Sequence, residues 1–175
     1  IFFVPSSNLY ENKSNVDVNG IEGEVRYDHK DILSLGVNAS YQNLINTTQF
    51  SSPSSTVEEI TYLDPIPNLP SFYGNIDLTY RKNDFLSKDA SLQFNLYTQY
   101  VQWFYLYWKS QGNIEGNSQI PTQYIHNAAI TYTREKGKYN ISLECRNFTD
   151  NLAYDNYRLQ KPGRSVALKF RYFIK

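Results

Sequence analysis

Two histidines, one cysteine, a hexapeptide of rings and charges at alternating positions are the residues of this 175-residue chain from which chemistry could be built. His29 stands in a short polar turn and His126 on the flank of a β-like run, too far apart in pattern to suggest a shared metal. Cys145 is alone, which excludes a disulfide framework and a Cys-based zinc site. Its place among alternating apolar residues suits a small hydrophobe better than a nucleophile. Asp150 and Asp155 could touch a cation, but they fall in a connection where turn formation accounts for them as well. Neither G-x-S-x-G, nor H-E-x-x-H, nor a phosphate-cradling glycine loop occurs. The expectation is a protein that is no enzyme, with no metal site and no cofactor.

The charges say more. In Tyr139–Arg146, Tyr139, Ile141, Leu143 and Cys145 alternate with Asn140, Ser142, Glu144 and Arg146. In the last ten residues, Val166, Leu168, Phe170, Tyr172 and Ile174 alternate with Ala167, Lys169, Arg171 and Phe173. Successive side chains of a strand point to opposite faces, so a period of two is the β period. One face is aliphatic and aromatic while the other carries full charges. Strands that cross a membrane as part of a barrel have this pattern, with lipid outside and a wet lumen inside. Glu22, Glu24, Arg26, Asp77, Glu144, Arg146, Lys169 and Arg171 are therefore expected to face the lumen. There they either pair across strands or meet a domain or substrate in the interior.

Aromatic residues make up 16% of the chain, with 16 Tyr, and Tyr suits sites that are apolar at one end and wet at the other. Tyr27, Tyr41, Phe72, Tyr80, Tyr132, Tyr139 and Tyr172 fall near strand ends on apolar faces, as an interfacial girdle would. The run W-F-Y-L-Y-W, Trp103 to Trp108, continues past the expected membrane edge. Two readings stay open for it: the outer girdle with the base of a loop, or a platform for an aromatic, sugar or macrocyclic ligand. On the second reading Trp103, Tyr105, Tyr107 and Trp108, with Tyr154 and Tyr157, are the candidate ligand-binding residues.

The net charge of zero gives no basic surface for nucleic acid. Mean hydropathy is negative and no apolar run approaches 18 residues, which excludes a transmembrane helix but not a barrel. The chain begins I-F-F-V-P, without Met or a signal peptide, as a piece of a longer protein would. Along it, 1–4 reads as the end of a strand, 5–14 as a polar loop, and 15–27, 32–44, 72–80, 90–106, 124–133, 139–146 and 166–175 as strands. The connections alternate: long at 45–70, 109–122 and 148–163, short at 28–31, 81–89 and 134–138. Outer-membrane barrels have this asymmetry, with short periplasmic turns and longer extracellular loops.

Several stretches resemble the C-terminal strands of TonB-dependent outer-membrane receptors, especially those of Bacteroidetes. They are I-P-x-x-Y-I-H-N-A-A-I-T-Y at 120–132, N-F-T-D-N-x-A-Y-D at 147–155, P-G-R-S at 162–165 and the amphipathic end. Asn147, Phe148, Asp150, Tyr154, Pro162, Gly163 and Arg164 stand where that family has its last hairpin's turn motif. N-G-I-E-G-E-V-R-Y at 19–27 and N-L-P-S-F-Y-G-N at 68–75 resemble two more of its strands. One departure is the end itself: the family closes on an aromatic residue, where this chain has Ile174 and Lys175.

The resemblance implies that 1–175 is the C-terminal part of a receptor barrel: an all-β, antiparallel, up-and-down transmembrane segment of seven to eight strands within a barrel of about 22. The implied activity is active uptake of a scarce, bulky nutrient such as an iron-siderophore, haem, cobalamin or an oligosaccharide. Implied partners are outer-membrane lipid, the plug and N-terminal barrel strands of the same receptor, TonB through the plug, and a surface lipoprotein. The plug and TonB box are not in these residues. The location is the bacterial outer membrane, as a multi-pass barrel. Two rival readings are a self-contained eight-stranded barrel for adhesion or structure, and a secreted β-sandwich that binds carbohydrate through its aromatics.

Overall fold

The computed structural model describes residues 2–4, 9–11, 15–50, 54–111, 119–155 and 158–174, with side chains from 15 onward except Lys136. Its elements are eleven strands and one short 3-10 turn, Glu135–Gly137. A small ladder joins β1 (Phe2–Val4) to β2 (Leu9–Glu11), so part of the expected loop 5–14 is a strand. The main sheet contains β3 (Val16–His29), β4 (Leu33–Asn46), β5 (Phe72–Asn83), β6 (Ser91–Val101), β9 (Gln123–Arg134), β10 (Tyr139–Arg146) and β11 (Ser165–Tyr172). A second small ladder, β7 (Phe104–Tyr105) with β8 (Gln119–Ile120), lies in one of the long connections.

The seven long strands are ordered β11-β10-β9-β6-β5-β4-β3, each antiparallel to its neighbours. Every strand follows its sequence neighbour, which is an up-and-down meander. β3 and β11 are its two edges, so the sheet is open among the described residues.

Register aligns the two faces from strand to strand. Val25 pairs with Val37, Val37 with Ile76, Leu78 with Leu96, Phe94 with Ile130, Ile130 with Leu143, and Leu143 with Leu168. One largely apolar face therefore runs across all seven strands, with Thr98 and His126, paired at 3.0 Å, as a polar pair within it. These side chains are half-buried to exposed, from Leu78, Phe94 and Leu96 in mid-sheet to Val25 and Leu168 on the edge strands, each about 70% accessible. A soluble sheet buries such a face against a second layer, and none of the described residues forms one here. On β4 the apolar face runs from Leu33 to Tyr41, about 27 Å along the strand and about 21 Å once tilted by about 40°. That is close to the roughly 25 Å of a barrel's apolar band.

Rings mark both ends of the face. At the end with long connections, Phe72 and Tyr100 have centroids 5.6 Å apart and Tyr100 and Tyr124 5.0 Å. At the other end, Tyr139 and Tyr172 lie 5.1 Å apart and Phe85 meets Tyr132 edge-on at 6.5 Å. Beyond Tyr41 the same register turns polar, with Asn19 opposite Asn43 and Asp17 opposite Ile45.

Several expected boundaries are corrected. The run 90–106 is not one strand: the main ladder ends at Val101, where the Gln102 N–H donates to Phe72 O and the Trp103 N–H to Thr122 Oγ1. Alternation persists past the break because Phe104 and Tyr105 enter the separate β7–β8 ladder. β5 and β9 also extend beyond the ends expected for them, to Asn83 and Arg134, since ladder bonds continue where the outward residues Lys82 and Arg134 cease to be apolar.

Candidate functional site: the loop cluster and the polar wall

The three long connections meet at one end of the sheet and bury a small core of their own. Phe104, Leu106 and Ile120 form it, with Val101 and Tyr154 packed against them. Ile120 is 0% exposed and Trp108 2%. Alternate residues of the aromatic run thus turn inward, and the others turn out: Trp103 is 42% and Tyr107 45% exposed, with Tyr105 half-buried between them. The Trp103 and Tyr105 rings meet edge-on at 5.3 Å.

Polar bonds tie the neighbouring connection to this core. Asp64, 5% exposed, accepts the Ser110 N–H at 2.8 Å and the Ser110 hydroxyl at 2.7 Å. The Asn68 N–H donates to Tyr105 O at 2.7 Å. Asn46, fully buried, donates through Nδ2 to Thr61 O and Thr61 Oγ1, and its own Oδ1 accepts the Thr48 N–H. A buried polar group must find such partners or destabilise the fold by about 1–3 kcal/mol. These loops are consequently packed structure rather than loose excursions.

The third connection is held by a clasp. Asn147 and Asp150 both have left-handed backbones, φ 47° and 56°. Asn147 Nδ2 donates to Asn151 O, and Asn147 Oδ1 accepts the Asn151 N–H. Asp150 Oδ1 accepts the Arg164 N–H at 2.8 Å, while the Arg164 guanidinium lies 3.9 Å from Asp150 Oδ2. A Cβ at position 163 would come within 2.8 Å of Asp150 Oδ1, so Gly163 is required for close approach rather than for its φ. β9 anchors the clasp: Asn127 Oδ1 accepts the Asn147 N–H, Gln123 Oε1 the Tyr154 N–H, and His126 O the Phe148 N–H. Sequence reading singled out Asn147, Phe148, Asp150 and Gly163 but missed Gln123, Asn127, Asp64 and Ser110. Gln123 and Asn127, polar residues within a strand motif, were the available signal.

The polar face of the sheet carries a side-chain network. The Tyr97 hydroxyl donates to Asn75 Oδ1 at 2.7 Å and Asn75 Nδ2 to Asn38 Oδ1. Asn95 Nδ2 donates to Thr79 Oγ1, Gln93 Nε2 to Asn95 Oδ1, and Arg81 Nη2 to Gln93 Oε1. Lys169 Nζ bridges both Glu144 oxygens at 2.7 Å, and Arg26 Nε meets Asp28 at 3.0 Å. Asp77 fills the space that a Cβ on Gly36 would occupy, which is why its cross-strand neighbour is glycine. Glu22, Glu24, Arg26, Asp77, Glu144, Arg146, Lys169 and Arg171 all stand on this face by register.

In the turns, the Ser87 hydroxyl beside Asp89 holds that carboxyl below its ordinary value. Lys138 is held above its ordinary value, first by Tyr172, then by Tyr139 and Glu135, and its ammonium lies 5.5 and 5.7 Å from the two ring centroids. His29 stacks on Tyr27, whereas His126 Nδ1 lies 3.0 Å from Thr98 Oγ1 on another strand. No cluster of three or more His, Cys, Asp or Glu suited to a metal occurs among the described residues.

A meander with one exposed apolar face, girdles at both ends and packed loops at one end narrows the comparison to outer-membrane barrels. Residues 1–148 match the family described as TonB dependent receptor-like, beta-barrel. The chain belongs to that family. The TonB-dependent receptors are outer-membrane receptors and transporters rather than enzymes, so the loops and the polar wall, not a catalytic centre, are the parts to consider. The fold is similar to the crystal structure of the siderophore receptor PiuA from Acinetobacter baumannii, with a TM-score of 0.67 and 18% identity. That alignment covers 90% of this chain and 22% of PiuA, so the receptor-barrel segment spans about a fifth of the length of the protein it matches. None of the curated proteins compared with the chain matches it.

Of the residues anticipated for ligand binding in this receptor segment, the structure brings the Trp103 and Tyr105 rings together, leaves Tyr107 exposed and buries Trp108. Tyr154 packs against that core from the third connection. Tyr157 lies outside the described residues.

Proposed function

We propose that this segment forms wall and extracellular loops of a receptor that takes up a scarce, bulky nutrient across the outer membrane, driven by TonB through a plug domain. The observation that carries the reading is the two-faced sheet capped at one end by packed loops that hold rings outward. Its apolar face would meet lipid, its polar face the lumen, and the long connections the cell exterior. Placing a charge on the apolar face of such a barrel costs about 2–4 kcal/mol at the bilayer midplane, and between the two girdles Glu22, Glu24, Arg26, Asp77, Glu144, Lys169 and Arg171 all avoid that face.

The ligand is held, on this reading, by the exposed Trp103 and Tyr107 and the half-buried Tyr105, whose rings provide stacking area at low cost in side-chain entropy. Trp108 and Tyr154 act from beneath, fixing the shape of the loops. Ferric siderophores, haem, cobalamin and oligosaccharides all present faces that rings can cover, and the similarity to a siderophore receptor supports the first without selecting it. The polar wall contributes the passage and the surface against which the plug rests. A surface lipoprotein remains a further proposed partner at the loop end.

The test is a combined Trp103→Ala, Tyr105→Ala, Tyr107→Ala variant of the full-length receptor. Growth on each ligand class as sole source and direct binding by purified receptor are measured. The expected result is loss of binding and growth for one class, with the variant still present and heat-modifiable in the outer membrane. Unchanged binding for every class would remove these rings from the ligand site.

A further inference from the structure

Just beyond the rings at the end with short connections, the outward register becomes cationic. Lys82 continues the apolar face of β5 past Tyr80, and Arg134 continues that of β9 past Tyr132. The Lys138 ammonium lies 5.7 and 5.5 Å from the ring centroids of Tyr139 and Tyr172, which belong to the same face. By sequence, the connections 81–89 and 134–138 hold six Lys or Arg against three Asp or Glu, a net of +3 that attracts anions. At the opposite end the outward register holds Asn19, Asn43 and Asp17, and Arg164 is taken by Asp150.

Local pairing does not consume these cations. Glu135 lies 3.6 Å from Lys138 with both side chains 41% exposed, and Asp89, near Arg134, is bonded to the Ser87 hydroxyl. Among the described residues Lys82 has no carboxylate within bridging distance. Lys82 and Arg134 stand on strands two spacings apart, about 10 Å. They form a row along the edge of the apolar face rather than a pocket closed round one small anion. The connection between β5 and β6 adds an apolar contact. Phe85 meets Tyr132 edge-on and its N–H donates to Ala90 O, which folds 85–90 against the apolar face. Leu86 is then 84% exposed, with left-handed backbones at Asp84 and Leu86, φ 54° and 67°. Residues with a Cβ seldom adopt that conformation. Water is a poor environment for a leucine held out in this way, and acyl chains are a good one.

We infer that this collar is a binding site for anionic phospholipid, with Lys82, Arg134 and Lys138 at the headgroup phosphates and Leu86 among the acyl chains beside Phe85. A bilayer leaflet is complementary to such a row, since it presents many negative charges in one plane with hydrocarbon directly behind them. The two tyrosine rings hold the Lys138 ammonium at that plane. The inference rests on the reading of the chain as receptor-barrel wall with this end at the periplasmic leaflet. It adds which lipid chemistry the wall selects there.

The experiment uses the full-length receptor, purified in neutral detergent and titrated with phosphatidylglycerol or with phosphatidylcholine of the same acyl chains. Retained lipid is counted by native mass spectrometry. One cation beside an anionic surface contributes a preference of about fivefold. K82Q/R134Q is therefore expected to weaken phosphatidylglycerol binding about 25-fold and phosphatidylcholine binding little. Lys82→Gln, with about a fivefold loss, carries the test if the double variant inserts poorly. Leu86→Ser is expected to weaken both lipids alike, about tenfold. Excess inorganic phosphate is expected to leave the lipid in place. Displacement of phosphatidylglycerol by phosphate would show that the collar takes a free anion, and would overturn the lipid assignment. A heat-modifiable double or single variant that keeps the wild-type preference for phosphatidylglycerol would overturn the inference alone. A wild-type receptor that forms no heat-modifiable barrel would overturn the underlying reading as well.

Discussion

Replacing Asp64 with alanine tests whether the long connections form one body. Asp64 accepts two hydrogen bonds from Ser110, at 2.8 Å from the N–H and 2.7 Å from the hydroxyl, across 46 residues of sequence. Bonds to a charged acceptor contribute about 1.5–3 kcal/mol each. Relief from burying a carboxylate offsets part of this, so the net loss is about 2–4 kcal/mol, placed almost entirely on the seam between the two connections. At 1.4 kcal/mol per factor of ten, the seam should open roughly 30- to 700-fold more often. The chain supplies its own reporter: Lys109 is exposed and its following peptide bond bears the Ser110 N–H that Asp64 holds. Trypsin cleavage after Lys109, in full-length receptor on intact cells, should accelerate by that factor when opening and reclosing are faster than cleavage. Ser110→Ala keeps the N–H bond and loses only the hydroxyl, so its acceleration should be about 5- to 30-fold, and Asp64→Asn should fall between the two. If Asp64→Ala is cleaved no faster than Ser110→Ala, or both match wild type, the seam is held by other contacts and the argument fails.

Two further outcomes follow from the facing and from the clasp. Leu143 pairs with Leu168 and Ile130 on the apolar face, whereas the Ser142 hydroxyl lies 2.9 Å from Thr131 Oγ1 on the polar face. Leu143→Arg should therefore lower barrel stability by about 2–4 kcal/mol in a lipid-vesicle folding assay, and Ser142→Arg by far less. Equal losses would reverse the facing assignment. Gly163→Ala places a methyl against Asp150 Oδ1 and should displace the Arg164 N–H from it, lowering stability by about 1–3 kcal/mol. Faster hydrogen exchange at the Arg164 amide, with β10 unchanged, is the expected signature. Unaltered exchange there would show that the clasp has room for the methyl group.

Alternation made the long strands legible because each has one face that is apolar for most of its length. Tyr139–Arg146 was read to the residue, since both its ladders follow the pattern without interruption. Ends blurred where hydrogen bonding outlasts hydrophobicity: Lys82 pairs with Leu92 and keeps β5 in the sheet after the pattern has stopped. The reverse error occurred at 102–106, where the pattern outlasted the sheet because Phe104 and Leu106 bury themselves in the loop core. The loop end was legible only in type. Nothing local tells Trp108, 2% exposed, from Trp103, 42% exposed, because the difference arises only when the fold brings distant segments together.

The change of character just beyond Tyr41 has a consequence for motion. Below that ring the outward register is hydrocarbon-like; above it stand Asn19, Asn43 and Asp17. Sliding the sheet two residues deeper, about 5 Å along the membrane normal for a tilted strand, would draw those groups into the acyl layer. Sliding it two residues outward would pull Tyr80 and Tyr132 away from the opposite boundary and carry Lys82 and Arg134 into it. The wall is keyed to one depth, like a bolt with a shoulder at each end. On the proposed function, whatever travels during transport moves within this frame, and the frame itself stays at anchor.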